Sequence, residues 1–235
     1  AWWRIAIEPH GAKTVRQEFE IKILPRISKS EVFQHNFEQK NIYLQSNKYL
    51  QAESPKIKQL AREIAGKEKN ILKIAKKIND YVINYLIYGN PIKGLYSAQE
   101  AIEKKEVDCG GFSALLAGLC MALNIPARII SGFWTGYPLN EMHAWTEFQL
   151  PNGQWFPCDP TIQHLRKQGR TSKSGGFGFV GSDRIALSLG CDLLLEIENQ
   201  TINADILQNP LVWSENKEKS FKIEIEFITT ALAAP

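Results

Sequence analysis

The chain has 235 residues, of which 44% are hydrophobic and 23% carry a formal charge. These proportions are ordinary for a soluble globular protein, and they exclude a mostly disordered chain, a fibrous repeat and a disulfide-dense miniprotein. The formal net charge is only +3, from 28 Lys and Arg against 25 Asp and Glu, so we expect no nucleic-acid partner. No apolar run approaches the roughly 20 residues that span a bilayer, so no membrane span is expected.

The sequence pattern at the beginning of the chain predicts β structure. Because residue 1 is an alanine rather than a methionine, we expect a processed or trimmed product that is cytoplasmic or exported after removal of an N-terminal signal. Residues 15–24 alternate between apolar and charged side chains, which predicts a half-buried strand. A short strand could follow at 42–44. Residues 1–51 are therefore interpreted as the remainder of an N-terminal β domain.

Helices are predicted for the next part of the chain. Ser54 and Pro55 have the residue types of an N-cap and a first helical turn, and Gly66 is a typical stop. A second helix is predicted after Asn70 and is expected to end at the Gly-Asn-Pro sequence at 89–91. Its lysines are interpreted as a solvated helix face rather than a nucleic-acid patch, because the net charge is close to zero.

Capping signals define two more helices before the pattern changes to strands. Ser97 and Glu100 predict a capping box for a short third helix. An apolar helix is predicted after Asp108 and ends near Asn124, since Asn tolerates the left-handed conformation at a helix stop. Strands are predicted at 128–133, 142–150, 154–158 and 221–227.

A stretch rich in Gly, Ser and Lys, at 166–181, is predicted to be a mobile loop. Helices followed by antiparallel strands indicate an α+β fold.

One of the four cysteines is a candidate nucleophile. Cys109 lies in the first turn of a predicted helix, with Asp108 as its N-cap, and the positive end of the helix dipole would stabilise the nucleophilic thiolate there. Taken alone, a buried structural cysteine is the more frequent interpretation. Cys120, Cys158 and Cys191 fit that interpretation better, and a disulfide among these three stays open if the protein is exported.

The candidate base is His143, which lies in an alternating strand, because an imidazole exchanges protons near neutral pH. The Pro-Asn-Gly sequence at 151–153 suits a three-residue hairpin turn, in which paired residue numbers add up to 304. This register puts His143 and Asp159 on one face as diagonal neighbours, whereas a two-residue turn would put them on opposite faces. A structural histidine and a turn aspartate remain the ordinary alternatives.

Three segments in order resemble the core of the transglutaminase-like superfamily, and most of all its bacterial, cysteine-protease-like members. They are DCGGFS at 108–113, HAWTEF at 143–148 and WFPCDPT at 155–161. The resemblance extends from about residue 52 to about residue 190 and includes NIPAR at 124–128 and DRIALS at 183–188. It implies a papain-like catalytic domain at 52–235, with helices packed on an antiparallel sheet.

The resemblance also implies the functional residues. Cys109 would be the nucleophile, His143 the general base and acid, and Asp159 the carboxylate that orients the histidine. Tyr88 lies about where the family supplies an oxyanion donor, although packing at a helix end is an alternative for it.

Two tryptophans, Trp134 and Trp145, are candidates for the wall of a substrate groove, with a place in the core as the alternative for both.

The implied activity is acyl transfer on protein or peptide amides through a thioester intermediate, with hydrolysis favoured over amine cross-linking. No cofactor is expected, because the chain has no room for the calcium-binding regions of animal transglutaminases. One alternative is a non-catalytic binding or scaffold module that retains the fold. Another is a metal site formed by Cys109, His143 and Asp159, for which no CxxC pair supplies further ligands.

Overall fold

A computed structural model shows an α+β fold with five α-helices and ten β-strands in the described part of the chain. This arrangement confirms the predicted fold class. The described residues are 5–8, 10–16, 18, 20–21, 42–135, 141–198, 200–209, 211–212, 222 and 224.

Four helices precede the main sheet, and the fifth follows its third strand. They are α1 Pro55–Ala65, α2 Ile71–Tyr85, α3 Ala98–Lys104, α4 Cys109–Met121 and α5 Pro160–Lys167. The Asn70 side chain caps α2 by accepting the Lys73 N–H at 3.0 Å, and the capping box of α3 is complete. Ser54 precedes α1, but its side chain accepts no capping hydrogen bond. No helix in the described ranges combines the length and the apolar character needed to cross a bilayer.

Helix α4 is the centre of the hydrophobic core. All of its residues from Gly110 to Met121 are buried, as expected for a helix that is apolar on every side. The other four helices and two strands of the main sheet, at Ala127–Trp134 and Met142–Gln149, surround it. Only its first residue, Cys109, is partly exposed, so α4 carries this one side chain from the core to the edge of the fold.

The main sheet is antiparallel, with the strand order β5–β4–β3–β8. Its strands are β3 Ala127–Trp134, β4 Met142–Gln149, β5 Trp155–Cys158 and β8 Arg184–Leu189. The shorter pairs are β1 Ile87–Tyr88 with β2 Glu106–Val107, β6 Gly175–Gly176 with β7 Phe179–Val180, and β9 Leu193–Ile197 with β10 Gln200–Ala204. The first of these pairs is parallel and the other two are antiparallel.

The β4–β5 hairpin has the predicted register. Phe148 pairs with Phe156 and Thr146 with Cys158, so the paired residue numbers add up to 304. Gly153 has a φ of 81°, the left-handed conformation that this turn requires and that glycine adopts at no steric cost. The ladder ends at Cys158, and the chain then turns into α5.

Two predicted elements were wrong or displaced. Residues Ile42–Leu44 form a short 3₁₀ helix rather than a strand, and Tyr43 packs edge-on against Trp155 at 4.9 Å between ring centroids. Helix α2 ends at Tyr85 rather than at 89–91, because β1 begins at Ile87 and pairs with β2.

The stretch 166–181, predicted to be a mobile loop, contains the end of α5 and the β6–β7 pair. Among its glycines, Gly175 is closely packed. A Cβ atom on Gly175 would lie 2.6 Å from Arg184 Nη2, so a larger residue would collide there.

The N-terminal part is only partly described. Val15 and Ile21, in the segment predicted to be a half-buried strand, lie in no strand and are about half exposed, whereas Phe19 and Ile23 lie outside the described residues. The strand predicted at 221–227 also lies outside them, except for Lys222 and Glu224, which are in no strand.

Residues 42–51 pack closely against the fold. The Tyr49 carbonyl oxygen accepts the Ala98 N–H at 2.7 Å, Leu50 is buried, and the Tyr49 hydroxyl donates to the Asp205 carboxylate. The domain boundary between residues 51 and 52 stays a prediction.

Candidate active site

Cys109 is the first residue of α4 and is held there by a capped helix start. The Asp108 side chain accepts the Gly111 N–H through Oδ1 and the Ile92 N–H through Oδ2, both at 3.2 Å. A Cβ atom on Gly111 would lie 2.6 Å from a methyl group of Val107, so packing explains the glycine two residues after Cys109. The result is a cysteine fixed at a helix N-terminus, as predicted.

The protonation state of Cys109 differs from the expectation. Burial raises the pKa of its thiol to about 12, and the Asp108 carboxylate adds to this effect. The nearby backbone N–H groups of Ala144 and Gly110 act in the opposite direction and lower the pKa of the thiol. Desolvation of the thiolate therefore exceeds the stabilisation from the helix N-terminus, and the resting thiol keeps its proton.

His143 and Asp159 form the predicted contact. His143 Nε2 lies 2.8 Å from Asp159 Oδ2, and both side chains are buried. Because an ionised carboxylate has no proton to give, Nε2 is the donor. A neutral imidazole then has an unprotonated Nδ1, which is the form that could accept a proton from a thiol.

The contact between Cys109 and His143 is less direct. The backbone N–H of Ala144, the residue after His143, lowers the pKa of the thiol, so the sulfur lies beside this part of β4. Among the described residues, no hydrogen bond joins the thiol to the imidazole. Catalytic hydrogen bonds are often long in the absence of substrate and tighten when it binds, so a contact between the thiol and the imidazole stays a prediction.

Asp159 is bound on both carboxylate oxygens. Oδ1 accepts the Ile162 N–H at 3.0 Å and so caps α5, while Oδ2 accepts from both His143 and Arg184, the latter at 2.7 Å. Burial alone would raise the pKa of the Asp159 carboxyl, but the neighbouring His143 and Arg184 together hold it below the usual value. The carboxylate therefore stays ionised at neutral pH.

Arg184 was not predicted as a site residue. Its side chain is 1% exposed, and its Nη2 also donates to the Ser174 carbonyl oxygen at 2.6 Å. The DRIALS segment that contains it is part of the family resemblance, but an arginine in an edge strand gives no signal of its partner. Only the fold brings it to Asp159.

Trp134 and Trp145 lie beside the histidine and are 2% and 4% exposed. The Trp134 ring centroid is 4.7 Å from that of His143, and the Arg184 guanidinium carbon is 3.9 Å from the Trp134 centroid. Trp145 stacks near His143 at 6.1 Å. The observed contacts are thus with the histidine, and a substrate-binding role for either indole stays a prediction.

Tyr88 lies in β1, paired with Val107 of β2 two residues before Cys109. Burial raises the pKa of Tyr88 to about 12, and the Cys109 and Asp108 charges contribute. Its hydroxyl therefore stays protonated and can donate a hydrogen bond, which an oxyanion donor must do. Its predicted role is not tested by these contacts.

The other cysteines are buried, and all four are free thiols. Within the described ranges, no three His, Cys, Asp or Glu side chains converge as a metal site would require.

Comparisons with known proteins agree with the sequence motifs. Residues 58–160 match the family model of the transglutaminase-like superfamily. A search of curated protein sequences finds no match. Among solved structures, a candidate cysteine protease from Cytophaga hutchinsonii is similar with a TM-score of 0.47 at 22% identity, over 74% of this chain and 59% of that one.

A second similar structure is the periplasmic domain of TgpA from Pseudomonas aeruginosa, with a TM-score of 0.44 at 19% identity, over 55% of this chain and 49% of that one. The chain therefore spans less than two thirds of either structure. The segment at 58–160, which matches the family model of the transglutaminase-like superfamily, holds both Cys109 and the His143–Asp159 pair.

Proposed function

We propose that this protein is an enzyme that performs cysteine-dependent acyl transfer on protein or peptide amides. The observation that carries the proposal is the 2.8 Å contact between His143 and the ionised Asp159. It lies beside the helix start that holds Cys109, inside the segment that matches the family model. A buried carboxylate that fixes one nitrogen of a histidine leaves the other nitrogen for a nucleophile.

In the proposed acylation step, the Cys109 sulfur attacks the carbonyl carbon of an amide while its proton passes to His143 Nδ1. Because burial raises the pKa of the thiol, this proton transfer accompanies the attack rather than preceding it. The tetrahedral intermediate collapses when the carbon–nitrogen bond breaks and His143 returns the proton to the departing amine. The products are the free amine and a thioester on Cys109.

In the proposed deacylation step, water attacks the thioester carbon and gives a proton to His143. The carbon–sulfur bond breaks, the acid is released and the proton returns to the sulfur. We favour water over a lysine amine as acceptor, since Cys109 is partly exposed and water needs no binding site of its own. An amine in the place of water would yield a cross-link by the same proton transfers.

Oxyanion stabilisation is assigned to the Cys109 backbone N–H and to Tyr88. The first N–H groups of a helix have no partner within the helix, and the Tyr88 hydroxyl keeps its proton. Together they would supply two donors to the oxyanion, which is the arrangement that acyl transfer requires.

The test is a peptide library incubated with the wild-type protein, with Cys109→Ala and with Cys191→Ala, each with and without a lysine-analogue amine. Cys191 is a buried cysteine outside the site, so its replacement is the matched control. We expect cleaved peptides from the wild type and from Cys191→Ala, and none from Cys109→Ala. Amine-labelled peptides would identify cross-linking instead, and no Cys109-dependent product would favour a non-catalytic scaffold.

A further inference from the structure

The guanidinium of Arg184 is the most constrained charged group near the candidate site. Its Nη2 donates to Asp159 Oδ2 at 2.7 Å and to the Ser174 carbonyl oxygen at 2.6 Å, and its Nη1 lies 3.3 Å from Asp183 Oδ1. Its flat face lies over Trp134, which is its direct partner across the β3–β8 pair. Contacts on the edge and the face of the guanidinium leave it one orientation.

Arg184 and His143 share a single oxygen atom. Both donate to Asp159 Oδ2, while Asp159 Oδ1 is occupied by the Ile162 N–H. A carboxylate with one oxygen fixed by a helix start and the other by a guanidinium cannot rotate. Arg184 and the Ile162 N–H therefore hold in place the Asp159 oxygen that accepts the His143 proton.

The surrounding packing is built for this contact. Gly175 has a φ of 141°, and a Cβ atom there would lie 2.6 Å from Arg184 Nη2 and 3.3 Å from Asp159 Oδ2. The Trp134 ring contacts both His143 and Arg184. Glycine at position 175 gives the arginine and the carboxylate room to meet.

Burial of this pair needs an explanation beyond stability. The Arg184 and Asp159 side chains are 1% and 0% exposed. A buried ion pair contributes little net stability, because the loss of hydration offsets most of the attraction, and apolar residues often replace such pairs without loss. The same fold contains a second pair of this type, Arg128 with Glu147 at 2.7 Å, which lies away from the histidine.

We infer that Arg184 is a positioning residue for the acyl-transfer site: it locks the Asp159 carboxylate in the orientation that His143 requires and places a positive charge beside the His143–Asp159 pair. The inference rests on the proposed function for its effect on turnover, but not for its effect on the histidine. Other charged or titratable groups also face the site, from α4 and from the segments around β4 and β6–β8. They are Cys109, Asp108, Glu141, Lys173 and Asp183.

The direct test is an NMR titration of the His143 imidazole in the full chain, followed by long-range ¹H–¹⁵N correlation. Removing a positive charge near a base lets the base take up a proton at higher pH. In Arg184→Gln we expect His143 to become protonated about one pH unit higher than in the wild type. Arg184→Lys keeps the charge and is expected to move the titration by less than half as much.

Arg128→Gln is the matched control, because it removes a buried arginine that also pairs with a carboxylate and lies over a tryptophan. It should leave the His143 titration unchanged. An equal shift in Arg128→Gln, or no shift in a folded Arg184→Gln, would overturn the inference. If Arg184→Gln does not fold, the turnover of Arg184→Lys is compared with that of Arg128→Lys. We expect kcat to fall at least fivefold in Arg184→Lys, with KM unchanged. Equal kcat values in the two variants would overturn the inference.

The two proposals fail separately. Turnover that persists in Cys109→Ala would refute the proposed acyl transfer, whereas the NMR titration needs no turnover and judges Arg184 by itself.

Discussion

His143 Nε2 lies 2.8 Å from Asp159 Oδ2 although the two residues belong to different kinds of element. His143 is in β4, while Asp159 has left the sheet and is the N-cap of α5. The end of the β5 ladder at Cys158 is what permits this, because the chain is then free to turn the carboxylate toward β4. Asp159 thus caps α5 and accepts a hydrogen bond from His143.

Acid stability should depend on Asp159 in a specific pH range. Its folded-state pKa is below the usual value, so its stabilising contribution is fully present above the unfolded pKa of about 3.9 and is lost as the pH falls through the lower folded pKa. In Asp159→Asn, the asparagine keeps the side-chain oxygen that caps α5 but carries no charge. The difference in Tm between the wild type and Asp159→Asn should therefore be largest above pH 5 and should shrink below pH 4.

Asp80→Asn, at an exposed carboxylate on α2, is the control for this comparison and should leave Tm nearly unchanged at every pH. A difference between the wild type and Asp159→Asn that stays constant down to pH 2 would contradict the lowered pKa.

Reactivity of the Cys109 thiol should rise into the alkaline range. Burial raises its pKa to about 12, and only the thiolate reacts readily with iodoacetamide. Alkylation measured by peptide mapping should therefore be slow at pH 7 and still increase above pH 9. A rate that is already constant between pH 5 and pH 8 would instead show a preformed thiolate.

The β3–β8 pair should not tolerate a side chain at Gly132. A Cβ atom there would overlap the Ile185 carbonyl oxygen, at an irregularity in the pairing next to Arg184. Gly132→Ala should lower the free energy of unfolding by about 1–3 kcal/mol, as measured by urea denaturation, and should reduce turnover.

Gly153→Ala offers the contrast, because nothing lies within 4 Å of the added methyl group and only the turn is strained. Its turnover should match that of the wild type. Equal turnover in Gly132→Ala and Gly153→Ala would show that the β3–β8 pair does not support the site.

The N-caps of helices α1 and α2 should contribute differently to the free energy of unfolding. Asn70 accepts a backbone N–H whereas Ser54 does not. Asn70→Ala should therefore cost about 1 kcal/mol of unfolding free energy, as is typical for a lost N-cap, and Ser54→Ala only a few tenths. Urea denaturation of both variants checks this order, and a larger loss in Ser54→Ala would refute it.

Local signals explain what could be predicted from the sequence. The Pro-Asn-Gly turn determines the register of the β4–β5 hairpin, because turn type and strand pairing depend on neighbouring residues alone. This register holds as far as Cys158, whereas Asp159 reaches His143 from the N-cap of α5 and not as a cross-strand neighbour. Likewise Asp108 and Asn70 are caps that act within three residues of themselves.

Contacts distant in the sequence explain what could not be predicted. Arg184 meets Asp159 across 25 positions, and no local pattern announces that contact. The glycines of β6 signal a loop by composition, yet both are buried, and Arg184 occupies the space beside Gly175. The thiol pKa depends on the burial of Cys109 by the whole fold, which outweighs the helix N-terminus that the sequence does show.

The most direct test of the central claim is to trap the acyl intermediate. Wild-type protein is mixed with a library of peptide esters, quenched in acid and examined by intact-mass spectrometry and peptide mapping, beside Cys109→Ala and His143→Ala. We predict an acyl adduct on Cys109 of the wild type that hydroxylamine removes, slower formation in His143→Ala and no adduct in Cys109→Ala. Turnover without any adduct on Cys109, or an equal adduct on Cys120, Cys158 or Cys191, would contradict the proposed chemistry.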